Sequence, residues 1–425
     1  MSVTGSQNQP PVTVEGGAAM SPEDATVMTT REYLGLAWSR LQGGETGVLP
    51  VIGGLLLVSI LFQILNNRFL TAGNLVNLML QAAVFSLLAM GEVFVLLLGE
   101  IDLSVGFVAG LSAVVLAKLA DPTVGWPWWA AVLVALAVAA GIGLIQGTLI
   151  TRIGLPSFVV TLGGQLFWQG VMLWALGNGG SVLIQSQVLN GLTSSNLTPL
   201  VGWVVMLVAV GFVSVLTWRR DARRRSSGLA APPVILTVTK ILGGLLGGVA
   251  LILLANTDRG VRFPVVGLPW VVVLVLAVLA GWTYLLSRRR FGRYLYAIGG
   301  NAEAARRAGI RLPRIRTLAF VLCSLTAGVG GIVYASRLRS ISTALDGGTL
   351  VLYAIAAAVI GGTSLFGGRG KALHGVLGGV VIAAIDNGMG LLGVSAAAKY
   401  VVTALVLIIA VTIDAIARRN RPDRR

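Results

Sequence analysis

Long apolar runs separated by short polar or basic segments make up most of the chain. Apolar runs of about 18 residues or more predict transmembrane helices, because about 20 helical residues cross the hydrocarbon core of a bilayer. The pattern predicts about twelve spans, with ten as the lower bound, and the fold class is an all-α, polytopic transmembrane helical bundle. The spans lie near residues 48–65, 73–98, 105–120, 127–150, 157–177, 199–217, 233–255, 265–286, 317–335, 350–365, 373–392 and 397–416.

Glycine-rich sequence interrupts this pattern at two places, near residues 99–106 and 350–368. Non-helical backbone within a membrane is tolerated where protein or a cavity surrounds it, so both regions predict broken or re-entrant helices. The motifs GEIDLSVG (99–106) and GGTSLFGG (361–368) share their terminal glycines and a central leucine. The span count puts both motifs on one side of the membrane, which predicts a parallel internal repeat.

The basic residues are concentrated in three segments, namely 219–225, 288–316 and the tail after Asp414. Even numbers of predicted spans separate these segments, so all three can face the same side. Cytoplasmic loops carry the excess of Lys and Arg, so this side is the cytoplasm and both termini are cytoplasmic. The net charge of +16 therefore reports membrane topology, and a nucleic-acid partner is not expected.

The composition agrees with a membrane protein and argues against most enzyme chemistry. Hydrophobic residues make up 56% of the chain and charged residues 11%, whereas a soluble domain has about 25% charged residues. Cys323 and His374 are the only cysteine and the only histidine. An internal disulfide is thus excluded, and neither a catalytic histidine triad nor a bound metal is expected.

The sequence predicts three regions along the chain. Residues 1–45 form a polar cytoplasmic tail with a short amphipathic helix at 29–42, residues 46–416 form the transmembrane domain, and residues 417–425 form a basic cytoplasmic tail. The amphipathic helix is expected to lie on the membrane lipid.

The first candidate for function is the motif at 99–106, which places Glu100, Asp102 and Ser104 between two apolar stretches. An acid at mid-membrane costs about 2.5–3.5 kcal/mol on insertion scales, so such residues usually face a partner, a cavity or a transport pathway. The alternative is an interfacial turn with solvated acids. Glu92 is a further charge inside an apolar run.

Polar residues within other spans extend this candidate pathway. Gln165 and Gln169 could bind sugar hydroxyls, Trp168 could stack on a sugar ring, and Asn387 is a further polar position. The alternative interpretation is that these side chains only join neighbouring helices, as polar residues in membranes commonly do.

The second candidate is a short helix in the basic segment 288–316. Gly300 precedes a good N-cap, Asn301, and Glu303 lies in the first turn, where the helix dipole favours an anion. Alanines follow, and the helix can end at Gly309. A capped helix in a large cytoplasmic loop indicates a docking element, whereas the alternative is a simple connector at the lipid surface. The segment VIGGTSLFGGRG (359–370) fails as a phosphate loop, because Leu365 and Ala372 occupy two of its required positions.

Four segments in order resemble the permease subunits of bacterial ABC importers for simple sugars, the ribose, xylose and arabinose group. They are EIDLSVG (100–106), YAIGGNAEAARRAGI (296–310), LYAIAAAVIGGTSLFGGRG (352–370) and NGMGLLGVS (387–395). Glu100, where ribose-type members tend to have glycine, and the added apolar length between 190 and 290 resemble the xylose-type branch. Glu92 departs from the family pattern.

The resemblance implies a multi-pass permease of the bacterial inner membrane that carries xylose or a similar pentose and catalyses no reaction. It implies three partners: a second permease copy, an ABC ATPase that hydrolyses ATP with Mg²⁺, and a periplasmic or lipid-anchored sugar-binding protein. No cofactor is then bound by this chain. The residues implied in coupling to the ATPase are Gly300, Asn301, Glu303, Ala304, Ala305, Arg306 and Gly309.

Two alternatives stay open. A permease of the same superfamily could carry a nucleoside, a branched-chain amino acid or a signalling furanosyl compound. A secondary transporter could instead use Glu100 or Asp102 to carry protons.

Overall fold

The computed structural model describes residues 49–227, 231–260 and 264–419. The predicted tail with its amphipathic helix at 29–42, and the last six residues, lie outside this part. The helices are α1 (Leu49–Leu65), α2 (Ala72–Leu96), α3 (Val105–Leu119), α4 (Trp128–Thr148), α5 (Ser157–Leu176), α6 (Gln187–Ser194), α7 (Pro199–Ser226), α8 (Val234–Asn256), α9 (Trp270–Arg288), α10 (Arg290–Gly300), α11 (Ala302–Arg307), α12 (Leu312–Leu338), α13 (Gly347–Ile360), α14 (Ala372–Leu391) and α15 (Ala396–Arg419). Two short strands, β1 (Ser181–Leu183) and β2 (Ser340–Ser342), pair antiparallel.

Eight of the described helices are long and apolar enough to cross a membrane, and four shorter apolar helices accompany them. The prediction of an all-α, polytopic transmembrane bundle is therefore confirmed. The four shorter helices are α1, α3, α13 and the apolar part of α15. At 1.5 Å per residue, α3 and α13 are only about 22 Å long, which is less than the hydrocarbon thickness of about 30 Å.

The described residues between Val208 and Gly248 form a compact unit of their own. Within it, α7 continues through the basic segment 219–225, so these arginines are helical rather than in a loop. Asp221 is buried and accepts a hydrogen bond of 3.1 Å from the Thr237 hydroxyl. Arg220 also donates to Asp221, at 3.0 Å. A buried carboxylate is thus satisfied within this helical pair.

The larger unit contains the remaining described helices, and α2, α12 and α14 are the most buried of its long spans. Helices α2 and α12 run antiparallel at close range. A methyl group on Gly91 would lie 2.9 Å from the Cys323 carbonyl oxygen, and one on Gly330 would lie 2.9 Å from the Leu88 side chain. Small residues at these positions let the two helix backbones approach, as is common between membrane helices.

A long helix followed by an extended segment and a short helix occurs twice, as α2–α3 and as α12–α13. The two short helices meet at their N-termini, since a methyl group on Gly106 would lie 2.0 Å from the Gly347 carbonyl oxygen. Because α2 and α12 are antiparallel, the two pairs have the relationship of an inverted repeat. The parallel repeat predicted from the glycine motifs is wrong, because GEIDLSVG precedes its short helix and GGTSLFGG follows its own.

Candidate functional site

Three segments that are far apart in sequence meet at one end of the larger unit. We call this contact the three-segment junction, and it consists of Leu97–Gly99, Gly299–Gly300 and Phe366–Gly370. The Gly368 amide donates to the Leu97 carbonyl at 2.9 Å. The Tyr296 hydroxyl donates to the Gly370 carbonyl at 2.7 Å. The junction therefore joins both glycine-rich motifs to the helix that precedes α11.

The junction is packed backbone against backbone. A methyl group on Gly299 would lie 1.8 Å from the Leu97 carbonyl oxygen and 2.6 Å from the Gly368 nitrogen. Gly99 has a φ of +76°, in the left-handed region that favours glycine. The glycines are thus required by contact and by backbone conformation, and side chains at these positions would separate the three segments.

Helix α11 has the capping and charge pattern expected from the sequence. The Asn301 side chain accepts a hydrogen bond of 2.9 Å from the Ala304 amide. Arg306 and Arg307 donate to the Glu303 carboxylate at 2.9 and 3.1 Å, and these hydrogen bonds lower the pKa of Glu303. Glu303 therefore stays ionised at neutral pH.

One face of α11 packs on the protein and the rest is exposed. Ala305 is buried, whereas Asn301, Glu303 and Ala304 are exposed. Arg306 and Gly309 are exposed as well, and Gly309 follows the helix with a φ of +80°. Ala305 thus anchors the helix, while its neighbours present a surface available for contact.

The extended segment between α2 and α3, residues 100–104, is held by three other helices. Glu100 accepts a hydrogen bond of 2.6 Å from the Arg316 Nε in the first turns of α12, and the two side chains form an ion pair. Gln146 of α4 donates to the Ser104 hydroxyl at 2.9 Å. Thr161 of α5 donates to the Ile101 carbonyl at 3.3 Å. The break in the helix is therefore fixed by polar contacts on several sides.

Asp102 and Ser104 are fully buried inside this segment. The Asp102 Oδ1 atom accepts hydrogen bonds from the Ser104 amide at 2.9 Å and from the Ser104 hydroxyl at 2.6 Å. This local bonding turns the chain into α3. The alternative of an interfacial turn with solvated acids is wrong for Asp102, because no solvent reaches it.

The structure brings some of the proposed pathway residues together. A methyl group on Gly164 would lie 2.6 Å from the Gln146 amide nitrogen and 3.5 Å from the Trp168 Nε1. Trp168 therefore lies near the extended segment 100–104, which we call the polar break. The Gln165 amide lies near Gly348, at the start of α13. Trp168 Nε1 is buried without a hydrogen-bond partner in the described part of the chain.

The other two proposed pathway residues are placed differently. Gln169 is half-buried on α5. Asn387 is buried in α14 and accepts a hydrogen bond of 2.8 Å from the Asn74 side chain, at the start of α2. The start of α2 is the end of that helix remote from the three-segment junction, so Asn387 does not belong to the polar break.

Sequence reasoning missed the partners of the acids. Gln146 is a polar residue within the predicted span 127–150, and Arg316 is one of the nine arginines in 288–316. Arg316 is 216 positions from Glu100, and no local pattern links them. Among the described residues, no group of three His, Cys, Asp or Glu side chains is placed to hold a metal ion.

Comparison with known proteins gives a consistent result. The family model described as the permease component of the branched-chain amino acid transport system matches residues 74–411. The xylose transport system permease protein XylH of Escherichia coli (strain K12) is 33% identical, over 93% of this chain and 97% of its own. The XylH of Haemophilus influenzae is 35% identical, over 82% of this chain and 90% of its own.

The ribose import permease protein RbsC of Escherichia coli (strain K12) is 31% identical, over 90% of this chain and 96% of its own. No solved structure matches the chain. The prediction of a transport protein that is not an enzyme is confirmed, and so is the resemblance to permeases of this kind. The chain belongs to the permease family described as the permease component of the branched-chain amino acid transport system.

Proposed function

We propose that this chain is the membrane-spanning permease subunit of an ATP-driven importer of a monosaccharide, xylose or a similar pentose. The observation that carries the proposal is the three-segment junction, in which the helix leading to the exposed α11 contacts both glycine-rich motifs. Support for a sugar comes from the relatives, which are named as xylose and ribose permeases.

The energy source is an ATPase subunit that binds the exposed residues of α11. The chain lacks a phosphate loop in its sequence, so ATP and Mg²⁺ belong to that partner. Asn301, Glu303, Ala304, Arg306 and Gly309 form the contact surface. Gly300 links α11 to the junction, and Ala305 packs α11 on the permease. A second copy of the permease and an extracytoplasmic sugar-binding protein complete the assembly.

The membrane orientation follows from the charges near the junction. The segment 288–316 carries nine arginines. It contains α11 and the end of α10 that contacts the junction. Under the positive-inside rule this end faces the cytoplasm of a bacterial cell, at the inner membrane. With an even number of spans, we infer that both termini are cytoplasmic.

A movement of α11 can be transmitted to the polar break through a continuous set of contacts. The junction connects the α10 helix to Leu97 and to the loop after α13. Leu97 lies three residues before Glu100, and the start of α3 touches the start of α13. A displacement at α11 would therefore change the position of both short helices, near Gln165 and Trp168. Transport then results from two conformations whose populations the ATPase and the binding protein bias.

The docking surface is tested by reversing the charge at Glu303. We expect Glu303→Arg to prevent co-purification with the cognate ATPase and to lower ATP-driven uptake by about tenfold or more, the equivalent of about 1.4 kcal/mol. The variant removes both hydrogen bonds to the arginines and places a third cation beside them. Pull-down from detergent and uptake into proteoliposomes are the two measurements.

Arg223→Glu is the matched control, because Arg223 is an exposed arginine of the basic segment 219–225. It is expected to leave co-purification intact. Unchanged binding of the ATPase by Glu303→Arg would contradict the assignment of α11.

The solute is tested separately. Uptake of labelled xylose by the reconstituted system should be reduced more by unlabelled xylose than by ribose or allose, the latter being the substrate named for a 30% identical relative. Preferential competition by a nucleoside or a branched-chain amino acid would favour the alternative solutes. Uptake driven by a pH gradient without any ATPase would favour a secondary transporter.

A further inference from the structure

Two acidic side chains lie fully buried where α2 ends and the extended segment begins. Glu92, on α2, and Asp102 both have no solvent exposure. The Asp102 backbone amide lies beside the Glu92 carboxyl group, and the Cys323 thiol lies beside the Asp102 carboxyl group. Neither oxygen of Glu92, nor the Oδ2 atom of Asp102, has a partner at good hydrogen-bond geometry within the described ranges. Three buried carboxyl oxygens are therefore left without a well-formed hydrogen bond.

The groups that face this pair from α12 and α14 supply no counter-charge. From α12 the facing group is the Cys323 thiol, which is neutral when protonated. Arg316, also on α12, is engaged by Glu100. From α14, Gly375 packs against Met90, and the His374 ring lies against Thr363 instead. In the described part of the chain, no cation interacts with either carboxyl group.

Two ionised carboxylates cannot occupy such a place. Burying one uncompensated charge costs several kcal/mol even after relaxation of the surroundings, and a second like charge nearby adds repulsion. A shared proton removes one charge and gives the orphaned oxygens a hydrogen bond. The same arrangement is known for paired acids that hold one proton between them.

The hydrogen bonds decide which acid holds the proton. Asp102 Oδ1 accepts two hydrogen bonds from Ser104, which favour the ionised form of Asp102. Glu92 accepts none of good geometry. We infer that the Glu92–Asp102 pair is a proton-binding site, in which Glu92 is protonated at neutral pH and donates its proton towards Asp102. The hydrogen bond made by this proton joins α2 to the extended segment 100–104.

The position of the pair gives the proton a mechanical consequence. Glu92 is five residues before Leu97, or about 7.5 Å along the helix axis, so the pair lies next to the three-segment junction. Loss of the proton leaves two negative charges between α2 and the segment that begins α3. Deprotonation therefore drives α2 and the segment that begins α3 apart, next to the junction.

The direct test is infrared spectroscopy of the purified chain in detergent at neutral pH, compared with its spectrum after substitution. We expect a carbonyl band of a protonated carboxyl group in the wild-type protein and its loss in Glu92→Gln. Asp102→Asn should keep the band at a shifted frequency, because the proton stays on Glu92 while its acceptor changes. Asp121→Asn is the control, since hydrogen bonds from Thr123 lower the pKa of Asp121, in the loop after α3, and it should contribute no such band.

The wild-type spectrum alone decides whether the site exists, so the test does not depend on the folding of any variant. Absence of the band at neutral pH would overturn the site. Loss of the band in Asp102→Asn, with retention in Glu92→Gln, would overturn the assignment to Glu92. A wild-type protein that lacks the band and melts at a higher temperature with added sodium would show a bound cation instead.

Stability against pH gives a second readout. The native state holds a proton that an unfolded chain releases at neutral pH, so the wild-type melting temperature should fall as pH rises. Glu92→Gln carries an uncharged amide that can donate to Asp102, and it should be as stable as the wild type at neutral pH and lose less on alkaline titration. An identical pH dependence in both proteins would contradict the site. Neither readout involves an ATPase or a sugar, so failure here is distinguishable from failure of the proposed function.

Discussion

Gly299→Ala is expected to abolish most ATP-driven uptake and to destabilise the protein. The added methyl group would lie 1.8 Å from the Leu97 carbonyl oxygen and 2.6 Å from the Gly368 nitrogen. Both contacts are with backbone atoms, which cannot rotate away as a side chain could. Overpacking in a well-packed region costs about 1–3 kcal/mol, and separation of the three segments would also break the route from α11 to the short helices.

The neighbouring glycine gives a matched control for stability. A methyl group on Gly300 would have no atom within 4 Å. Gly300→Ala is therefore expected to leave the melting temperature in detergent unchanged or slightly raised, because alanine is the better helix former by about 1 kcal/mol. The measurement is the thermal unfolding of both variants, followed by uptake for Gly299→Ala. An equal effect on melting temperature from the two substitutions would contradict the packing described for the junction.

The contrast between these glycines shows where sequence reasoning stops. The motif YAIGGNAEAARRAGI marks both residues equally, and each is a plausible helix terminus. Only the structure shows that Gly299 faces Leu97 and Gly368, which are about 200 and 70 positions away. Contacts between segments so far apart leave no local pattern, whereas the cap at Asn301 depends on residues within one turn and was predictable.

The same division holds for the fold. The buried spans α2 and α12 follow from apolar runs, since each run is a local property and a bilayer fixes its length. The predicted spans leave residues 178–198 as a connection between helices, but this segment contains β1 and helix α6. Strand β1 exists because β2 pairs with it from across the chain. The parallel repeat predicted from the two glycine motifs failed for a related reason. The spacing of glycines does not show in which direction the neighbouring helices run.

The acids at 100–102 show how a candidate site changes once partners are known. The sequence presents Glu100 and Asp102 as one pair of acids in a glycine-rich break. The structure gives them different environments, because Glu100 faces Arg316, while Asp102 faces Ser104 and Glu92. Glu100 is thus paired with a cation, and Asp102 together with Glu92, which have none, is the better candidate for proton exchange. In the sequence, Glu92 was visible only as a charge inside an apolar run.

Arg316→Ala is the second substitution with a large expected effect. The Glu100 side chain is 10% exposed and that of Arg316 is 34% exposed, so removal of the arginine leaves a largely buried carboxylate without its cation. Breaking a buried ion pair in this way costs about 3–5 kcal/mol, and the partial exposure of Arg316 reduces the expected loss to about 2 kcal/mol. Thermal unfolding in detergent should show the loss, together with reduced uptake.

The double variant separates the ion pair from other roles of Arg316. In Glu100→Gln/Arg316→Gln no charge is left unpaired, so it should be more stable than Arg316→Ala and closer to the wild type. Arg316→Ala should also regain stability as pH falls, because protonation removes the unpaired charge on Glu100. The double variant should lack this acid-side recovery. If the single and double variants unfold at the same temperature at every pH, then Arg316 does not act through Glu100, and the break between α2 and α3 is held by Gln146 and Thr161 alone.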